Sequence, residues 1–438
     1  MSGAVMASAR VRSIQRTALT LLVVGGVINY IDRATLAIGN PLIRQELGFS
    51  LGDMGLLLSA FLWAYAIAMM PAGALVDRLG PRRLFALGMT AWSLAQILGG
   101  LVMSFLQFFG ARMLLGVGEA PTFPAGARVA RDWFNVRDRG LATGLWNCSS
   151  SLGTAVSAPL LTMLMLAFGW RWMFAIMGAA GLVVAVIFYA IYREPHQVPL
   201  TAEEQRYRTE GDVADTRSDP VTWAEWKRLL AFRTTWGMLV GFFGTIYVTW
   251  IYTAWLPVYL EHERHMTISK TGWVAAVPYV FGVAGSILGG RFVDWLMHRG
   301  VSPMRSRKYP MAASLVLTAG FTTLAAVTPS NVVAVAAISV SLFLLYVSST
   351  SAWAMPSVAA PANCTASLGA MQNCGGYFGG ALAPTATGFI VQATGSFVPA
   401  LLVGAVVAVV CAAGYFALVG GAVRAAAPVP AGAGSFAD

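Results

Sequence analysis

The chain has 438 residues, 57% of them hydrophobic and 11% charged, with a formal net charge of +10. A soluble domain carries roughly 45–50% apolar and about 25% charged residues, so the charges here are too few to coat a water-facing surface and much of the chain must face lipid. The basic excess invites a nucleic-acid reading, which its placement along the chain excludes.

Apolar runs fall at 17–38, 54–76, 82–104, 106–128, 140–167, 171–192, 234–260, 270–297, 309–328, 331–356, 366–393 and 396–423. A spanning helix needs about 20 residues and satisfies its own backbone polar groups in lipid, so each run is read as one crossing. Twelve crossings put both termini on one face. Of the 29 Lys and Arg residues, 23 then lie on that face, four (Arg44, Arg171, Arg264 and Lys270) on the other, and two (Arg33 and Arg112) inside spans. The positive-inside rule makes the basic face cytoplasmic. The charge is a topology signal that also meets anionic lipid. Arg10, Arg12 and Arg16 precede a run long enough to span, with no small-residue cleavage site after it, so no cleaved leader is expected.

The loop 193–233 divides six spans from six. The expected organisation is an N-terminal bundle (1–192), a cytoplasmic linker (193–233), a C-terminal bundle (234–423) and a disordered Ala/Pro/Gly-rich tail (424–438). Two capping boxes in the linker, Thr201…Glu204 and Thr222…Glu225, predict short surface helices. Gly169-Trp170-Arg171-Trp172 is expected to anchor the membrane interface. Pro121, Pro124, Pro257 and Pro356 are expected to kink their helices. The cysteines Cys148, Cys364, Cys374 and Cys411 have no metal-ligand spacing and read as small apolar filler. No metal and no cofactor is expected.

The halves echo each other. Gly73-Ala74-Leu75-Val76-Asp77 follows the second span, and Gly290-Arg291-Phe292-Val293-Asp294 follows the eighth with the same Gly-to-Asp spacing. The fifth span carries Asn147-Cys148 and Gly153; the eleventh carries Asn373-Cys374 and Gly379. Two six-helix repeats follow, with a solute site at the midplane between them.

Only Asp32, Arg33, Arg112 and Glu119 fall well inside spans. Each costs about 2.5–3.5 kcal/mol at a span centre on insertion scales, so they must face one another or a wet cavity. Static salt bridges between the first and fourth spans are one reading. A transport path is preferred, because intramembrane ionisable groups ordinarily mark one. Arg112 and Glu119, seven apart, share a helix face, whereas Asp32 and Arg33 point about 100° apart. Crossed pairing is expected, Asp32 with Arg112 and Arg33 with Glu119. With all four ionised the site is neutral; protonating Asp32 and Glu119 leaves two guanidiniums, whose forked geometry matches a carboxylate. Burial and a neighbouring arginine act oppositely on a carboxylate's proton affinity, so protonation can respond to substrate. The expectation is symport of an organic anion with protons, driven by the proton gradient, with Asp32 and Glu119 carrying protons, Arg33 as the main substrate-binding or gate partner and Arg112 as charge partner.

Tyr30, Tyr65, Asn147, Ser150, Trp353, Gln372 and Asn373 are further substrate-binding candidates. For Tyr30, Asn147 and Asn373 a bond between helices is an equal alternative; for Tyr65 and Trp353 packing is the commoner fate.

Gly73-Ala74-Leu75-Val76-Asp77-Arg78-Leu79-Gly80-Pro81-Arg82-Arg83 resembles the signature loop of the major facilitator superfamily. Asn29-Tyr30-Ile31-Asp32-Arg33-Ala34-Thr35, and Gly118-Glu119-Ala120-Pro121-Thr122-Phe123-Pro124 followed by Trp133-Phe134, resemble the anion:cation symporter family, above all its bacterial sugar-acid members of the galactonate, glucarate and hexuronate types. The resemblance runs through all twelve spans and is strongest in the first five. It implies an all-α membrane fold of two pseudo-symmetric six-helix bundles, alternating access, and the same roles for the four buried charges. It places Tyr30, Tyr65 and Asn373 at the substrate cavity, while Ser150 departs from the glutamine usual there. It makes Asp77, Arg78, Arg83 and Asp294 a gate latch; loop solubility is the other reading of those four.

Three rivals are weighed. Antiporters of the superfamily carry a Gly-x-x-x-Gly-Pro-x-x-Gly-Gly stretch in the fifth span, which Gly153-Thr154-Ala155-Val156-Ser157-Ala158-Pro159 lacks, although anion exchange stays open. A non-transporting sensor would need an output domain larger than the linker and tail. An intramembrane enzyme would need a catalytic motif; His-Glu-x-x-His does not occur, and the Gly-x-Ser-x-Gly match Gly48-Phe49-Ser50-Leu51-Gly52 falls in the short loop between the first two spans, not on a strand-to-helix turn. The expected partners are a small organic anion, protons and lipid, without nucleic acid, for a monomer. Arg-dominated basic usage points to a bacterial inner membrane.

Overall fold

The structure is a computed structural model that describes residues 6–210, 227–360, 365–421 and 423. Among them every regular element is helical. The first half comprises α1 (Ala9–Leu47), α2 (Leu51–Leu79), α3 (Pro81–Leu101), α4 (Phe105–Glu119), α5 (Thr122–Trp133) and α6 (Val136–Ile191). After the linker helix α7 (Ala202–Thr209) come α8 (Arg233–His262), α9 (Ile268–Val274), α10 (Ala276–His298), α11 (Arg305–Val327), α12 (Asn331–Ala354), α13 (Pro356–Ala359), α14 (Thr365–Thr394) and α15 (Val398–Leu418).

Nine helical stretches among the described residues are long and apolar enough to span. Twelve crossings result because three more are hidden by local chemistry. The 56-residue α6 holds two, turning back at Gly169, whose φ of 82° and ψ of 163° no helix accommodates. Its first half runs beside α1, with Gly153 against Tyr30, and its second returns beside α3, with Gly181 against Ser93. The fourth crossing is split at Ala120 and Pro121 into α4 and α5, since Pro121 has no N–H for the preceding turn. The eleventh, α14, is 30 residues long, but its Gly, Thr and amide residues lower its hydropathy. Of the other prolines, Pro257 lies inside α8 and Pro356 starts α13 after a break at Met355.

The internal repeat has a packing counterpart. A Cβ at Gly153 would lie 2.7 Å from Tyr30 Cβ and Val27 O, and a Cβ at Gly379 would collide with the Phe243 carbonyl. Equivalent glycines thus seat α6 on α1 and α14 on α8, the principal partner of each.

Ser8 caps α1, and Thr201 with Glu204 forms a complete capping box on α7. That helix is fastened to the first bundle: Ser8 Oγ donates to Glu204 Oε1 at 2.7 Å, Tyr207 Oη to Asp138 Oδ2 at 2.7 Å, and Gln15 Nε2 to Tyr207 Oη at 3.2 Å. The second box, Thr222…Glu225, and the tail from 424 lie outside the described residues.

Three apolar cores show how the bundles meet. On the face opposite the termini one core is shared, joining Ile38, Leu57 and Phe174 to Trp255, Val391 and Phe397. On the terminal face there are two cores, one built on Phe85, Trp133 and Phe188 of the first bundle and touched by the second through Ala381, the other on Met238, Met355 and Tyr415 of the second. The bundles are closed against each other on one side and parted on the other. The closed side is also bonded across α2 and α14, where Thr385 Oγ1 donates to Ser59 Oγ at 2.7 Å and Gly52 N to Gln392 Oε1 at 2.9 Å.

The interfacial-anchor expectation for residues 169–172 needs correction. Trp172 is exposed, but Trp170 is buried and its indole donates to Glu46 Oε2 at 2.6 Å. Arg171 pairs with Glu46 Oε1 at 2.9 Å and donates to the carbonyls of Gly100 and Val102. An arginine here finds unpaired carbonyls at the end of α3, so the turn becomes a clasp between three crossings.

Candidate functional site

A cavity of about 810 Å³ lies between the bundles and opens where they part, on the terminal face. Tyr30 and Arg33 of α1 and Ser150 of α6 line one wall; Tyr346 and Trp353 of α12 and Asn373 of α14 line the other. Among the described residues Arg33 is the one charged side chain on the lining.

Behind Arg33 sit the other buried charges. Gly116 and Gly118 lie between Arg112 and Glu119 and let α4 close on its neighbours: a Cβ at Gly116 would strike the Phe61 carbonyl, and one at Gly118 would lie 2.6 Å from Trp92 N. That approach carries both ionisable groups to α1. Arg33 Nε donates to Glu119 Oε2 at 2.7 Å, with Glu119 fully buried and the arginine 9% exposed. The guanidinium also stands over the rings of Tyr30 (4.7 Å), Tyr65 (5.0 Å) and Phe61 (5.2 Å), and Arg112 lies 5.3 Å from the Phe61 ring. Cation–π contacts are worth about 2 kcal/mol or more when desolvated, so three rings fix this guanidinium in place.

The Arg33–Glu119 pair is thus formed, but the expected Asp32–Arg112 pair is not joined directly. Neither oxygen of Asp32 and neither Nε nor Nη1 of Arg112 has a hydrogen-bond partner among the described residues. Asp32 is turned toward Trp92 of α3, because adjacent residues on α1 point in different directions. Arg112 interacts electrostatically with Glu119 and Asp32 together. Thr35 Oγ1 donates to the Asp32 carbonyl at 2.7 Å and accepts from Gln96 Nε2 at 2.8 Å, tying this turn of α1 to α3.

The remaining candidates divide. Tyr30, Arg33, Ser150, Trp353 and Asn373 reach the cavity. Asn373 Nδ2 also approaches Met69 Sδ across the bundles at 4.0 Å. Trp353 is 53% exposed and packs edge-on against Phe242. Tyr65 is fully buried beside Tyr377, 5.1 Å between rings, and acts on Arg33 from behind the lining. Gln372 is corrected: fully buried, it donates to the Ala352 carbonyl at 3.0 Å and bonds α14 to α12, because its neighbour Asn373 takes the cavity-facing position. The Asn147 side chain lies outside the described residues. Cys148, read as filler, is instead exposed on the cavity wall.

Several residues at the site escaped sequence reading. Phe61 touches both arginines, and nothing in an apolar span distinguishes such a ring. Asn29 is buried at the cluster beside Glu119. Thr249 and Thr253 of α8, and Tyr346, Thr350 and Trp353 of α12, line the cavity at spacings of four and three, a polar stripe on one face of each helix that could have been found.

A family model described as Major Facilitator Superfamily matches residues 22–384. The chain belongs to this superfamily. It is therefore a multi-pass membrane transport protein and not an enzyme. It is 43% identical over 417 residues to a probable L-galactonate transporter of Escherichia coli K12, covering 95% of this chain and 92% of the relative. It is 34% identical to a probable galactarate/D-glucarate transporter of Bacillus subtilis, with 90% of this chain and 89% of the relative covered, and 29% identical to a D-galactonate transporter of Escherichia coli O6:H1, with 92% and 95% covered. A crystal structure of a bacterial homolog of the human lysosomal transporter Spinster, described as inward-facing and unoccupied, superposes with a TM-score of 0.77 at 18% identity, covering 93% of this chain and 97% of that one. The superposition supports the major facilitator fold.

The superfamily loop sits at the terminal face. Gly80, with φ of 79°, lets α2 pass into Pro81 of α3. Arg82 N donates to Glu194 Oε1 at 3.1 Å and its guanidinium to the Tyr189 carbonyl. Of the expected latch, the Asp77 side chain lies outside the described residues; Arg78, Arg83 and Asp294 are exposed and form no side-chain ion pair among the described residues. They flank the parted side of the molecule.

Proposed function

We propose that the chain is a proton-coupled symporter that takes up a sugar acid or related carboxylate across a bacterial inner membrane. Both termini and the cavity mouth are assigned to the cytoplasmic side, on the excess of Lys and Arg there. The observation that carries the reading is the contact between Arg33, on the cavity wall, and Glu119, buried behind it. The named activities of the relatives support the sugar-acid class.

In this reading one guanidinium serves two carboxylates in turn. A proton on Glu119 releases Arg33 to take the substrate carboxylate in forked geometry. After the cavity opens to the cytoplasm, loss of that proton lets Glu119 reclaim Arg33 and the substrate leaves. The inward-open arrangement, with the pair closed, corresponds to the state after release. Asp32 is assigned a second proton-carrying role beside Arg112. Asp77, Arg78, Arg83 and Asp294 are assigned to closure of the cytoplasmic side, where the bundles are now apart. The proton gradient is the driving force, without a cofactor, and a single chain suffices.

Purified protein in liposomes tests this. With an inward-directed proton gradient, labelled L-galactonate accumulates above equilibrium and a protonophore abolishes the accumulation. Uptake that depends on internal counter-substrate and ignores the gradient identifies an exchanger, and binding without flux identifies a sensor; either overturns the proposal.

A further inference from the structure

We infer that the substrate carries a single carboxylate on a hydroxylated chain: an aldonate rather than an aldarate. The inference deepens the sugar-acid reading and rests on it.

The relatives leave this choice open, since their names include both acid types. The four buried charges seen in sequence suggest two arginines for two carboxylates. The geometry removes one. Arg112 is 2% exposed, lies behind Phe61 and is absent from the cavity lining, where Arg33 is the one cation among the described residues. A second carboxylate in the cavity would be desolvated without an ionic partner, and a buried unpaired charge is strongly destabilising.

The opposite wall adds a second, independent argument. Thr249 Oγ1 donates to the Thr245 carbonyl at 2.8 Å, Thr253 Oγ1 to the Thr249 carbonyl at 2.9 Å, and Thr350 Oγ1 to the Tyr346 carbonyl at 2.9 Å. Each of these hydroxyls bonds its own helix, Thr350 Oγ1 also lying 3.4 Å from Ser286 Oγ, so the threonines offer a ligand mainly lone pairs. An ionised carboxylate has acceptors alone, whereas an alcohol can donate. Among the described residues this wall, which also carries the hydroxyls of Tyr279 and Tyr346 and the indole of Trp353, is wholly neutral and suits hydroxyl groups better than a second carboxylate. Asn373 and Ser349, also on this wall, can donate to hydroxyl oxygens, but neutral donors bind a carboxylate more weakly than a guanidinium does. Arg33 holds the acid end and the second bundle holds the polyol.

The test uses the unaltered full-length protein in detergent and three six-carbon probes of one hydroxyl series: L-galactonate, galactarate and galactitol. Affinities are measured by calorimetry at a pH where both acids are fully ionised. L-Galactonate is expected to bind at least about tenfold more tightly than galactarate, one uncompensated charge costing at least one decade, and galactitol more weakly still. Galactarate binding as tightly as L-galactonate, or tighter, overturns the inference while leaving the sugar-acid reading intact. Galactitol matching both acids, or no probe binding, overturns the two together.

Discussion

Arg33 and Glu119 are joined at 2.7 Å across α1 and α4, yet only the arginine reaches the cavity. The pair therefore separates a face that meets solute from a face that does not. Whatever changes the carboxylate's charge is felt at the cavity through one guanidinium, which three aromatic rings prevent from moving far.

The first prediction concerns the carboxylate. Glu119→Gln keeps an acceptor oxygen for Arg33 and removes the titration. Substrate exchange across the membrane should stay within about threefold of the native rate, while accumulation driven by a pH gradient disappears. Proteoliposomes assayed once with a proton gradient and once by counterflow separate the two. Full uphill transport by the variant would remove Glu119 from the coupling.

The second concerns the guanidinium. Arg33→Lys preserves charge but loses the planar fork and its stacking on Tyr30 and Tyr65. Loss of one charge-assisted hydrogen bond is worth about 1.5–3 kcal/mol, so KM for the anion should rise roughly tenfold or more. An unchanged KM would show that the substrate carboxylate is held elsewhere.

The spans and the buried charges were legible because lipid punishes charge: twelve runs and four intramembrane ionisable groups stand out from any apolar background. The pairing of Arg33 with Glu119 followed from helical spacing. The Asp32–Arg112 pair did not, because spacing gives a direction from one helix and not the position of the next; Asp32 finds α3 in its path. The same limit misassigned Gln372 and hid Phe61. Two adjacent amides on α14 look alike in sequence, but α12 occupies the side of Gln372 and open space the side of Asn373.

The third prediction uses Cys148, exposed on the cavity wall, while Cys411 is buried and Cys374 partly covered. In a chain with the other three cysteines replaced by serine, a maleimide added from the terminal face should label Cys148, and saturating substrate should slow the labelling by about fivefold or more through occupancy of the same cavity. Labelling unaffected by a substrate that demonstrably binds would place the binding site elsewhere.

The fourth concerns Arg264, which is 8% exposed at the closed face. Its guanidinium donates to Tyr259 Oη at 2.7 Å and to the carbonyls of Thr328 at 2.6 Å and Ala325 at 2.5 Å, satisfying the C-terminal turn of α11. Arg264→Gln leaves those carbonyls under-satisfied and should lower stability by about 2–4 kcal/mol, read as a fall in Tm, with little change in KM because the residue is remote from the cavity. A large KM change at unaltered Tm would give Arg264 a part in transport instead.

The last concerns the bonds that close the face opposite the termini. Thr385→Val combined with Gln392→Leu removes the hydrogen bonds to Ser59 and Gly52 while keeping side-chain bulk at both positions. Each bond contributes about 1 kcal/mol, and both exist only while α2 and α14 are in contact on that face. Their loss, about 2 kcal/mol together, should shift the population away from the form open at the terminal face by roughly thirtyfold. Cys148 then reports the change: labelling from the terminal face should slow in the double variant before any substrate is added. Labelling at the native rate would mean that the shared apolar core of Leu57, Trp255 and Phe397 holds that face closed without help from these two bonds.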